Sequence, residues 1–181
     1  MMPDARHFSA LARINGLGRA AFVDLLGPLY EHSPWAAERA HPDGPFTDTQ
    51  ALTASLRRAV DAASSAEQLG LIRAHPELAG EKLRARALTE SSMSEQASIG
   101  LDQLGRAEFE RWTALNGAYR ERFGFPFIIC VRPHSKDEIV AAMERRLKRS
   151  EAEECAEAIA QIHDIARLRL EDLMAKLEAQ S

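Results

Sequence analysis

The sequence predicts an all-α fold, a single compact multi-helix domain spanning residues 1–181, on three observations. Apolar residues recur at helical spacing through most segments. Five helix starts can be read from a Ser or Thr followed three positions later by Glu or Gln, the pairing that satisfies free amides in a first helical turn. Only one short stretch, 125–131, reads as extended, and one short strand cannot make a sheet. A chain of 181 residues fits one domain with a substantial core, here of roughly eight helices.

Each element follows from local chemistry. Thr47 with Gln50 opens a segment in which Leu52, Leu56 and Val60 recur every four residues, and Ser64 with Glu67 opens a shorter one carrying Leu69 and Ile72. Ser92 with Glu95 begins a brief helix ending near Gly105. Phe109, Trp112, Leu115, Tyr119 and Phe123 then mark one side of a longer helix. Ser135 with Glu138 starts a segment bearing Ile139, Met143 and Leu147, and Ser150 with Glu153 starts the longest helix, which runs to about Leu177. Pro126 turns Phe125 away from helical angles, and Phe127, Ile128, Ile129 and Val131 favour an extended backbone. The Pro- and Gly-containing stretch 41–46 reads as a loop inside the fold, and the N-terminal third is less regular.

Bulk properties narrow the function classes. A formal charge of -4, with Lys and Arg interleaved among Asp and Glu, argues against a nucleic-acid partner. Cys130 and Cys155 lie outside any C-x-x-C pattern, which fits a reducing cytoplasm. Residues 1–10 show no apolar signal core, the last three residues are not a peroxisomal tripeptide, and no apolar run approaches the roughly 20 residues that cross a bilayer. The six histidines include no pair at helical ligand spacing and no H-E-x-x-H, so a metal hydrolase is disfavoured; phosphate-loop, G-x-G-x-x-G and G-x-S-x-G motifs do not occur.

Four places could carry chemistry. His75 stands where Pro76 ends a helix, so its ring can project into a cavity, and an imidazole titrates where proton transfer is useful. A plain His-Pro turn, as at His41-Pro42, is the alternative. Glu95 and Gln96 occupy a first helical turn, suited either to capping or to holding the polar edge of a small anion. At about 100° per residue, Cys155, Ile159, Ile162, Ala166, Leu173 and Leu177 form one stripe of the last helix, and Arg169 falls inside it. Such an arginine pairs with a buried carboxylate or grips a substrate carboxylate. The cluster Phe123-Gly124-Phe125-Pro126-Phe127-Ile128 is either core or a wall whose backbone reads a planar heterocycle.

Taken in order, five pieces resemble the OHCU decarboxylase family, which acts on 2-oxo-4-hydroxy-4-carboxy-5-ureidoimidazoline (OHCU). They are Leu29-Tyr30-Glu31-His32-Ser33-Pro34-Trp35, His75-Pro76-Glu77-Leu78-Ala79-Gly80, Ser92-Met93-Ser94-Glu95-Gln96 with Gly100-Leu101, Leu115-Asn116-Tyr119 leading to Phe123-Gly124-Phe125-Pro126-Phe127, and Ile165-Ala166-Arg167-Leu168-Arg169-Leu170. The resemblance implies an all-helical homodimer, free of metal and organic cofactor, that decarboxylates OHCU to S-allantoin in urate breakdown, with association to upstream urate-pathway enzymes as a further possibility. It implies catalytic roles for His75 and Glu95, the latter fixing the imidazole tautomer. It implies substrate contacts from Ser92, Gln96, Pro76, the Phe125, Phe127 and Ile128 segment, and Arg169 toward the carboxylate. Lys148 departs from the family, which often has Asn there. A helical partner-binding scaffold, or a related cofactor-free lyase on another small ureido or imidazole acid, is the alternative function.

Overall fold

Capping chemistry decides where the helices begin. The computed structural model describes residues 9–180, Arg84 without its side chain; the leading residues read as lacking a signal core, 1–8, and Ser181 lie outside them. The α-helices are α1 (Ala10–Asn15), α2 (Arg19–Leu26), α3 (Trp35–Ala40), α4 (Thr49–Asp61), α5 (Ser65–Ala74), α6 (Glu81–Arg84), α7 (Glu90–Ser98), α8 (Arg106–Phe123), α9 (Lys136–Arg146) and α10 (Glu151–Ala179). Among the described residues no strand forms, and 126–131 belongs to neither helix nor sheet. The all-α expectation holds, and the helices beyond the expected eight are short ones, such as four-residue α6.

The boxes at Ser135 and Ser150 form as expected. Ser135 Oγ accepts the Glu138 amide and Glu138 accepts the Ser135 amide at 2.7 Å, and Ser150 and Glu153 exchange the same pair of bonds. Two other boxes shift. Asp48, not Thr47, caps α4, because its extended backbone lets Oδ1 accept the Ala51 amide at 2.7 Å. Thr89 caps α7, accepting the Ser92 amide at 3.3 Å, so Ser92 and Glu95 lie within the helix. In the polar run Thr89-Glu90-Ser91-Ser92 several hydroxyls could cap, and sequence spacing does not choose among them.

The chain divides into two units, one made of residues up to Ser64 and from Ala166 onward, the other of Ser65–Ile165. In the first, α3 turns Ala36, Ala37 and Ala40 inward, each fully buried, and these small side chains let it lie against both α2 and α4. Phe22 stacks on Phe46 with ring centroids 6.1 Å apart, and Asn15 holds the Phe46 amide and carbonyl at 2.8 and 2.9 Å. Leu52, Leu56 and Val60 are buried, the face their spacing predicts.

In the second unit, α8 buries Trp112, Asn116, Tyr119 and Phe123. It stops at Gly124, whose φ of 72° is left-handed, a conformation glycine adopts without penalty. Along α10, which belongs to this unit as far as Ile165 and to the first from Ala166, Ile159, Ile162, Ala166 and Arg169 are buried as the stripe predicts, whereas Cys155, Leu173 and Leu177 are half-buried. Glu154, Ala158, His163, Leu170 and Met174 complete the buried face.

Candidate active site

His75 follows the last residue of α5, and its ring Nδ1 lies 3.0 Å from the Leu71 carbonyl oxygen one turn back. A carbonyl only accepts, so Nδ1 carries the proton and Nε2 is the basic nitrogen of the neutral ring. The tautomer therefore comes from the helix backbone. The side chain is 7% exposed, so the ring sits in a largely water-poor setting.

The loop after Pro76 is strained and held. Ala79 adopts φ of 52°, a left-handed conformation costing a non-glycine residue about 1–2 kcal/mol. Three side-chain bonds offset that strain. Gln96 Oε1 accepts the Ala79 amide at 2.8 Å and its Nε2 reaches the Glu77 carbonyl at 3.5 Å, while Asn116 Nδ2 donates to the Leu78 carbonyl at 2.7 Å. Two amide side chains, from α7 and α8, thus fix three successive residues beside His75. Glu77 in turn receives the guanidinium of Arg120.

A cavity of about 660 Å³ opens beside this loop, lined by His75, Pro76 and Phe125 together with Arg73, Lys82 and Arg120. Of the residues expected at the site, these first three share it. Gln96 lies behind the loop, gripping its backbone, and Ser92 is buried in the first turn of α7. Glu95 is 12% exposed, with Arg132 at 4.0 Å. Phe127 and Ile128 are buried, the Ile128 carbonyl taking Arg146 Nη1 at 2.8 Å. Arg169 belongs to the first unit, where Nη2 meets Glu31 Oε1 at 2.6 Å, so the ion pair left open by the helical stripe is present.

Sequence reasoning gave no role to Asn116, Arg73 or Arg120. Asn116 carried a signal, a polar amide on the apolar face that Trp112, Tyr119 and Phe123 define; the two arginines carried none. Among the described residues no group of three or more His, Cys, Asp and Glu side chains is arranged to hold a metal.

The family model for OHCU decarboxylase matches residues 15–171. The chain belongs to the OHCU decarboxylase family. It is 47% identical, over 164 residues, to the 2-oxo-4-hydroxy-4-carboxy-5-ureidoimidazoline decarboxylase of Haloferax volcanii, covering 91% of this chain and 95% of that one. A uric acid degradation bifunctional protein of a Bacillus species is 36% identical over 94% of this chain, which spans only 33% of that protein. Among solved structures, an (S)-allantoin synthase superposes with a TM-score of 0.73 at 30% identity, matching 92% of this chain and 54% of its own. An OHCU decarboxylase crystallised in the presence of (S)-allantoin shares the fold, with a TM-score of 0.63 at 19% identity. Members of this family are carboxy-lyases, and so is this chain.

Proposed function

We propose that the protein decarboxylates OHCU to S-allantoin in urate degradation, as one functional domain, with His75 as the group that moves the proton. The observation that carries the assignment to His75 is its placement: a buried imidazole at a helix end, its Nδ1 on the Leu71 carbonyl and its ring on the wall of a cavity.

Breaking the bond from ring carbon to carboxylate releases carbon dioxide and leaves an electron pair, which the adjacent ring imine accepts. Nε2 of His75 takes the proton of the geminal hydroxyl and returns it to the former imine carbon on one face, while the ring nitrogen that received the electron pair is protonated from solvent. Such proton transfer is worth about 10²–10⁴ in rate. Glu95 stabilises the imidazolium while it exists. Ser92 and Gln96 hold the polar ureido and ring groups, Gln96 also by keeping the loop in place, and Pro76, Phe125, Phe127 and Ile128 wall the substrate.

Freshly generated OHCU, followed by circular dichroism, tests this. The purified protein gives S-allantoin and His75→Ala does not, while its melting profile stays that of a folded chain; racemic product at the spontaneous rate from the unmodified protein contradicts it.

The proposal includes a homodimer in the cytoplasm, working alongside enzymes of the same route. Relatives of this chain occur within uric acid degradation bifunctional proteins, which supports the association with enzymes of that route. Among the described residues no helix is long and apolar enough to cross a membrane.

A further inference from the structure

Three cations line the cavity that His75 shares: Arg73, Lys82 and Arg120. Its volume of about 660 Å³ lies in the range of small-molecule sites, roughly 300–1,000 Å³. The substrate of the proposed reaction arrives as a carboxylate anion, and the three cations differ in what they can offer that group.

Arg120 is committed, because its Nη2 meets Glu77 Oε1 and its charge is balanced on the wall itself. Lys82 is an exposed point charge on a flexible stem, which fixes no orientation. Arg73 differs from both. It is the penultimate residue of α5, two before His75, and its Nε donates at 3.2 Å to the carbonyl of Gly124, where α8 stops. That bond ties the guanidinium down at one nitrogen. Among the described residues no carboxylate pairs with Arg73, so its Nη1 and Nη2 edge is uncommitted. A planar fork already held at Nε loses little further freedom when it grips a carboxylate with its other two nitrogens. The buried Arg169, by contrast, already has a counter-charge in Glu31.

A cation is needed at this place. Helix α5 ends at Ala74, so the negative end of its dipole lies beside His75. That end repels an anion brought to the imidazole, and a fixed positive charge on the same wall offsets the repulsion.

We propose that Arg73 binds the carboxylate of the substrate, Nη1 and Nη2 donating to its two oxygens while Nε stays on Gly124. This rests on the decarboxylation proposed above. The carboxylate leaves as neutral carbon dioxide and its electron pair passes to the ring imine, so the ion pair is strongest before the bond breaks. Arg73 therefore serves the binding and orientation of the substrate more than the bond-breaking step.

Arg73→Gln keeps a polar side chain at an exposed position and removes the charge. Assayed with freshly generated OHCU, it raises KM about tenfold, the loss of one charge-assisted pair, while kcat holds or rises. Arg73→Lys recovers part of the KM. The product carries no carboxylate, so the Kd of S-allantoin, read by calorimetry, is the same for the Arg73→Gln and unmodified proteins. In the unmodified protein, saturating hydantoin-5-acetate, a related ring bearing a carboxylate, shifts the Arg73 Nε–H resonance. A folded Arg73→Gln protein with unaltered KM overturns the proposal, as does one that loses affinity for S-allantoin by the same factor. If both variants melt below the assay temperature the resonance decides alone, and one that ignores saturating hydantoin-5-acetate overturns it. An unmodified protein that yields no S-allantoin above the spontaneous reaction defeats the functional assignment itself.

Discussion

Arg169 Nη2 and Glu31 Oε1 meet at 2.6 Å, with the two side chains only 5% and 2% exposed. Arg169 Nη1 also lies 3.4 Å from the Leu29 carbonyl, so the guanidinium is held by side chain and backbone together. Deleting one partner leaves a buried charge uncompensated. Glu31→Ala is expected to lose about 3–5 kcal/mol of stability, and a double variant Glu31→Leu with Arg169→Met to lose less than Glu31→Ala alone. Urea titrations of the single and double variants measure this; simple additivity contradicts it.

Asn116 ties α8 to the loop that carries His75. Asn116→Leu leaves the Leu78 carbonyl without its 2.7 Å donor and the left-handed Ala79 less firmly held. The expected cost is about 1–3 kcal/mol, together with a lower kcat/KM because the loop beside His75 loses its fixed geometry. Parallel denaturation and OHCU kinetics check it, and unchanged kcat/KM would separate Asn116 from the site.

Two capping carboxylates contribute stability that acid removes. The Ser135 amide and hydroxyl hold the Glu138 carboxyl below its usual 4.5, and the Ser150 hydroxyl and amide do the same for Glu153. A depressed folded value means that the unfolded chain binds more protons as pH falls. The stability these caps contribute is therefore complete above about pH 4.5 and disappears as pH drops through the depressed values. Glu138→Gln with Glu153→Gln should flatten the fall in melting temperature below pH 4.5 relative to the unmodified chain. An identical slope would show that these carboxylates do not govern acid unfolding.

Much of the fold was legible because periodicity and capping are local. The α9 and α10 starts are written in Ser135–Glu138 and Ser150–Glu153, and the face of α4 in Leu52, Leu56 and Val60. The α7 start was not, since Thr89 and Ser92 are equally good caps until tertiary packing chooses. His75, Pro76 and Phe125, far apart in the chain, line one cavity. What sequence could not show was indirect work. Both ends of the Gln96 amide bind the loop backbone, a grip its motif does not announce, and Arg146 and Gln161 lie 18 and 31 residues from the backbone atoms they hold. Such pairings depend on which helices meet, and no local pattern records that.

The His75 imidazole, with its Nδ1 committed to Leu71, is expected to transfer the proton during decarboxylation. The most direct measurement is the stereochemical course of OHCU decay, followed by circular dichroism in the presence of His75→Ala at matched folded concentration. The account predicts a loss of about 10²–10⁴ in rate, with product drifting to the racemate of the spontaneous reaction. A folded His75→Ala protein that still delivers S-allantoin at the unmodified rate would contradict it.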